Sequence, residues 1–127
     1  MRLSALIEKF TYTLVKDCFR EGETIYLVVG PGELGKVVGK GGVTVKRIQQ
    51  EIGKPVRVIE YRDNVVDFIK NVIYPLAVQE IVVEEKAVIL KDRSKKTKSL
   101  LIGRDGRNLQ VINRAVGRFF DKEVRIA

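Results

Sequence analysis

One pattern occurs twice in this chain, and it sets the terms for any fold. A displacement of 64 residues lays Gly39-Lys40-Gly41-Gly42 on Gly103-Arg104-Asp105-Gly106. The same displacement carries Val38 onto Ile102, Val45 onto Leu109, Ile48 onto Ile112 and Gly53 onto Gly117. A repeat of this length is longer than solenoid periods. The 127 residues therefore read as two like units in tandem, expected at 1–61 and 62–127.

The flanking patterns agree with that division. Ser4 is placed to cap a short helix striped by Leu6, Ile7 and Phe10. Thr11 to Phe19 and Ile25 to Val29 are rich in β-branched and aromatic residues and read as an antiparallel hairpin. Leu34, Val37 and Val38 make a brief helical face ending at GKGG. Val45, Ile48 and Ile52 stripe the next helix, which Gly53 and Pro55 close. Val56 to Tyr61 is a strand, and Arg62-Asp63-Asn64 is a short linker.

The second unit predicts the same order. A helix runs through Val65, Phe68, Ile69 and Val72 to Pro75, and a hairpin from Ala77 to Lys91 turns at Glu84-Glu85. A short helix at Leu100 to Ile102 leads into GRDG. Leu109, Ile112, Val116 and Phe119 stripe a longer helix, and Glu123 to Ile126 closes the unit. Two departures are visible: a basic connection from Lys91 to Ser99, and four extra residues around Arg118 to Asp121, expected to lengthen the helix.

Two glycines two residues apart, set between helical patterns, allow a backbone to approach an anion without interference from Cβ. The following helix aims free N–H groups and a partial positive charge at the same point. Lys40 or Arg104 adds a full charge. A phosphate suits such a loop. Asp105 opposes it, since a carboxylate there repels phosphate, although Asp-Gly is good turn chemistry.

At these residues the chain resembles the KH family of RNA-binding modules, whose GXXG loop clamps the backbone of about four nucleotides. The order of elements resembles the prokaryotic type of KH fold. That resemblance implies an α+β architecture in which each unit is a three-stranded mixed sheet covered by helices on one face. The continuous run PGELGKVVGKGG, with Val15-Lys16-Asp17-Cys18 upstream and Gly53-Lys54-Pro55-Val56 downstream, is similar to the archaeal NusA-like transcription factors. The resemblance implies binding of single-stranded RNA, the nascent transcript, during elongation or termination. RNA polymerase is then a candidate partner and a monomer is expected. By the same resemblance, Val38, Val43, Val45 and Ile48, with Ile102, Leu109 and Ile112, lie near the base-binding groove. Core packing is the simpler reading of Val45, Ile48, Leu109 and Ile112.

The charge points the same way. A net charge of +8 and a pI near 9.7 favour a polyanionic partner. Lys36, Lys40, Lys46 and Arg47 surround the first loop, while Lys91, Arg93, Lys95, Lys96, Lys98, Arg104 and Arg107 lead into and past the second. The expected RNA-binding residues are thus Lys36, Val38, Gly39, Lys40, Gly41, Gly42, Val43, Lys46 and Arg47, with Ile102, Gly103, Arg104, Asp105, Gly106 and Arg107. One cysteine, Cys18, and no histidine leave neither a disulfide framework nor a zinc site. No cofactor, metal or catalytic residue is expected. No apolar run approaches the ~20 residues of a membrane span, no signal peptide is read, and a cytoplasmic location follows.

Two other motifs overlap the first loop. Gly30 to Gly35 satisfies GxGxxG, and Gly30 to Lys36 satisfies the opening of a phosphate loop, GxxxxGK. Val37 then stands where a Ser or Thr must hold magnesium, and neither motif recurs in the second unit. A nucleotide-binding enzyme is therefore the weaker alternative, and a KH protein of ribosome assembly the nearer one.

Overall fold

The computed structural model describes residues 15–127. The anticipated first helix at Ser4 to Phe10 and the start of the first strand at Thr11 lie outside the described residues. Two compact units meet after Arg62.

In the first unit, β1 (Val15–Glu21) and β2 (Thr24–Val29) pair antiparallel, and β3 (Val56–Glu60) lies parallel to β2, which is central. The hairpin is tighter than the charged stretch Arg20-Glu21-Gly22-Glu23 between the two predicted strands suggests. Arg20 and Glu21 stay in the strand, and only Gly22 and Glu23 turn, with Gly22 at φ 61°. A charged side chain costs nothing on the exposed side of a strand, so polarity alone does not end one.

Alternation along β2 sends Ile25, Leu27 and Val29 to one face. There they form the core with Val37 of α1 (Leu34–Val38) and Ile48 of α2 (Val43–Ile52). All five are buried, and full burial of a Val, Leu or Ile side chain is worth roughly 1.5–3 kcal/mol. Phe19 and Tyr26 stack on the opposite face with ring centroids 5.1 Å apart. Gly53 ends α2 in the left-handed conformation, φ 70°, its N–H donating to the Gln49 carbonyl at 2.8 Å.

The second unit repeats the plan. After α3 (Val65–Ile73), β4 (Glu80–Val83) and β5 (Ala87–Lys91) pair antiparallel, and β6 (Glu123–Ile126) runs parallel to the central β5. Between β5 and β6 stand α4 (Lys95–Ile102) and α5 (Arg107–Phe119). This is the strand and helix order of the prokaryotic type of KH fold, complete in the second unit and followed from β1 to β3 by the described residues of the first.

Three details depart from the sequence reading. Asn64 is no linker residue: its side chain caps α3, accepting from the amides of Val66 at 2.9 Å and Asp67 at 3.2 Å. Ala77 to Gln79 stay outside β4. Lys95 to Ser99 are not connection but the first turns of α4, where Ser94 Oγ accepts the Thr97 amide at 3.1 Å. In agreement with the stripe that reaches Phe119, Gly117 does not repeat the role of Gly53. It sits inside α5, which reaches 13 residues against 10 for α2, because Phe119 and Phe120 continue past it to pack on Phe68 at 5.7 and 5.9 Å. The extra residues do lengthen the helix.

Candidate nucleic-acid interface

The two glycine loops adopt the same conformation. Gly39 has φ 75°, ψ 168° and Gly103 has φ 76°, ψ 173°. Gly42 and Gly106 are left-handed at φ 76° and φ 73°. The third position is left-handed too, at φ 64° for Gly41 and φ 57° for Asp105. Asp105 is the only non-glycine with positive φ among the described residues. Aspartate tolerates that region because its short polar side chain bonds locally.

The first glycine of each loop is required by space as well as by φ. A Cβ on Gly39 would lie within 2.9 Å of three Thr44 atoms, the Oγ1, the Cβ and the backbone N, and one on Gly103 would lie 2.7 Å from the Asn108 Cβ. Thr44 and Asn108 are themselves repeat equivalents, so the helix after each loop presses back on the loop's entry. Asn108 adds a brace, donating from Nδ2 to the carbonyls of Leu100 at 3.2 Å and Leu101 at 2.9 Å. Gly41 and Gly106 meet nothing within 4 Å.

Hydrogen bonds within each loop follow one scheme. Gly39 N–H donates to Gly35 O and Gly103 N–H to Ser99 O, both at 2.8 Å, closing the preceding helices. Gly42 N–H then donates to Gly39 O at 3.1 Å, and Gly106 N–H to Gly103 O at 3.2 Å. The amides of residues 40 and 41, and of 104 and 105, stand outside these turns.

The helices that follow are left open at their positive ends. Neither α2 nor α5 has a side chain capping its N-terminus, and neither carries an acid in its first turn. By contrast α3 has Asn64 and Asp67, and α4 has Ser94. The opening amide of each helix turns back into its loop, Val43 N–H donating to Lys40 O and Arg107 N–H to Arg104 O, and the helix dipole leaves a partial positive charge at that end. That charge favours an anion at the loop.

The expected site residues gather around this geometry. Lys40, Gly41, Arg104 and Asp105 are exposed at the loop tips. Lys46 and Arg47 are exposed on α2, and Arg107 opens α5 on the surface. Val43 is 66% exposed and Ile102 39%, apolar surface directly beside the loops, while Val38 is half-buried. Lys36 is drawn aside into an ion pair with Glu33 at 3.0 Å. Ile48 and Ile112 are core residues, each 1% exposed, and Val45 and Leu109 are half-buried.

The Gly30 to Lys36 stretch has no phosphate-loop geometry. Gly30 O accepts from Glu33 N–H in a turn, and the helix after it lasts five residues. Cys18 is half-buried opposite Leu27 on β2, and its thiol pKa is pushed up by burial and secondarily by the Asp17 charge. Among the described residues, no group of three His, Cys, Asp or Glu could hold a metal ion, and no helix is long and apolar enough to cross a membrane.

Comparison with known proteins places this arrangement. No family model matches the chain. A probable transcription termination protein NusA from Methanococcus vannielii is 34% identical over 91% of this chain and 66% of its own length. One of the same name from Halococcus morrhuae is 28% identical over 95% of this chain and 88% of its own. The chain belongs to the archaeal NusA-like family. A third NusA relative, from Methanocaldococcus jannaschii, is 30% identical, and the chain spans 58% of it, so the two methanogen relatives are longer proteins. The crystal structure of APE1850 matches 99% of the chain at a TM-score of 0.80 and 24% identity, which shows the shared fold. The NusA-like fold here is thus two KH units, each carrying a glycine loop between a short helix and an uncapped one.

Proposed function

We propose that this NusA-like chain binds single-stranded RNA through its two glycine loops and acts on the nascent transcript beside RNA polymerase. The observation that carries the reading is the shared conformation of GKGG and GRDG, each delivering a cation to the N-terminus of α2 or α5, where no side chain caps the helix. Such a site suits one phosphate at a time along a strand. Val43 and Ile102 offer apolar contact to the adjoining bases.

Two inferences about substrate follow from the chemistry. Unstacked bases reach a shallow apolar edge, whereas a duplex hides them, so single strands are preferred. Affinity falls with salt, because cations at the loops displace condensed counterions. The units Met1–Arg62 and Asp63–Ala127 act as the two RNA-binding domains, and Lys46, Arg47 and Arg107 extend the loop contacts. The experiment is a competition between an unstructured oligonucleotide and a hairpin stem of equal length. Preference for the unstructured strand is expected, and equal affinity would refute the reading.

A further inference from the structure

We propose that the first turn of α4, through Lys95 and Lys96, is a further contact for the RNA backbone, outside the glycine loops. This rests on the reading of the loops as RNA sites and extends it along one unit only. The turn has no counterpart in the first unit. Under the repeat, Lys95 and Lys96 fall on Pro31 and Gly32, and α1 has five residues where α4 has eight.

The placement of these lysines works against the isolated helix. Cations in a first turn face the positive end of the helix dipole. Lys95 and Lys98, three apart, also repel. No protein anion relieves this. Among the described residues neither Lys95 nor Lys96 forms an ion pair. The nearby Asp92 carboxylate is engaged by the amides of Gln79 at 3.1 Å and Ser94 at 2.8 Å. Ser94 holds the turn together despite the charge. An external polyanion is what the arrangement lacks.

The face leads to the loop. Leu101 is fully buried and turns that side of α4 to the core, while Lys95, Lys96, Leu100 and Ile102 are exposed. At about 1.5 Å per residue the lysines lie on the order of 12 Å from the loop, a distance that a strand held at Arg104 covers readily. Leu100, 50% exposed, gives its bases an apolar surface on the way. The contact also offsets the Asp105 carboxylate, which weakens phosphate binding at the second loop.

The test is the salt dependence of affinity for an oligouridine of roughly twelve nucleotides, three times what one loop clamps, with the wild type and Lys95→Gln/Lys96→Gln. Each phosphate contact contributes about 0.7 to the slope of log affinity against log salt. The variant is expected to lose about 1.4 of slope, and roughly fivefold in affinity per contact near 0.1 M salt. Its thermal midpoint should be equal or higher, since cations leave the turn, and Lys95→Arg/Lys96→Arg should retain binding. A glutamine variant with wild-type slope and affinity overturns the proposal, even if it loses a protein partner. So does an arginine variant as weak as the glutamine one. Absence of RNA binding by the wild type overturns both this inference and the reading beneath it, whereas wild-type binding that the glutamine variant keeps in full overturns this one alone.

Discussion

Asn113 on α5 holds the backbone of Val124 on β6 from both sides. Its Oδ1 accepts the Val124 N–H at 2.7 Å, and its Nδ2 donates to the Val124 carbonyl at 3.1 Å. In the first unit the repeat equivalent, Gln49, accepts only the Val56 N–H, at 2.8 Å. A single side chain thus docks the closing strand against the helix that follows each loop. It couples sheet to loop.

Asn113→Ala should destabilise the protein by about 1–3 kcal/mol, since it strands part-buried backbone groups of Val124. Gln49→Ala should cost less, with one bond lost. Urea unfolding monitored by circular dichroism checks the order, and equal midpoints for the two variants would contradict it.

Space around the glycines separates structural from functional positions. Gly39→Ala meets Thr44 and Gly103→Ala meets Asn108, so both should lose stability beyond the ~1–3 kcal/mol of an alanine held in a backbone region that only glycine favours. Gly41→Asn, with open space and a residue tolerant of that conformation, should unfold nearly as the wild type does. Thermal melts of the three variants decide. A melt for Gly39→Ala no lower than that for Gly41→Asn would show that the close approach is unimportant.

Much of this was legible beforehand, because glycine pairs, β-branched runs and apolar stripes each record a local physical demand. Gly39, Gly42, Gly103 and Gly106 announced the loops, and among the described residues the predicted strands formed, with β4 shorter than its apolar run. Lys95 to Ser99 read as connection because a helix turn without an apolar residue has no periodicity. Ser94, a good capping residue, was the available signal. Gly117, laid on Gly53 by the repeat, does not end its helix, as the stripe reaching Phe119 implies, because Phe119 and Phe120 pack on Phe68. Asn113 and Gln49 could not be found, since an amide side chain does not declare a partner 11 or 7 residues away. The open N-termini of α2 and α5 were implied by the glycines, but the contrast with capped α3 and α4 needed the structure.

Asp105 makes the two loops unequal. Replacing it by glycine removes a carboxylate without disturbing a left-handed backbone, so Asp105→Gly should tighten single-stranded RNA binding severalfold, most visibly at low salt. Gly41→Asp should weaken it. Fluorescence anisotropy with a labelled oligonucleotide measures both. A weaker Asp105→Gly variant would mean that the carboxylate contacts the ligand favourably.

Cys18 should behave as an unreactive thiol. Burial raises its pKa, and the neighbouring Asp17 charge adds to the rise. Only the thiolate is alkylated, so iodoacetamide at pH 8 should modify the native protein more slowly than the urea-unfolded chain. Equal rates would show the thiol to be freely exposed.

The central claim is that the loops hold RNA phosphates, and Lys40→Asp/Gly41→Asp tests it most directly. Asp105 already stands at φ 57° in the equivalent position, so the loop accommodates an aspartate where Gly41 is, and the fold should survive. The measurement is the equilibrium dissociation constant for an unstructured single-stranded RNA, wild type against variant, at one fixed salt concentration and with folding verified by circular dichroism. Loss of charge-assisted contacts predicts weakening by about 1–3 kcal/mol, and more where the new carboxylates repel the strand. A folded variant that binds with wild-type affinity would contradict the account.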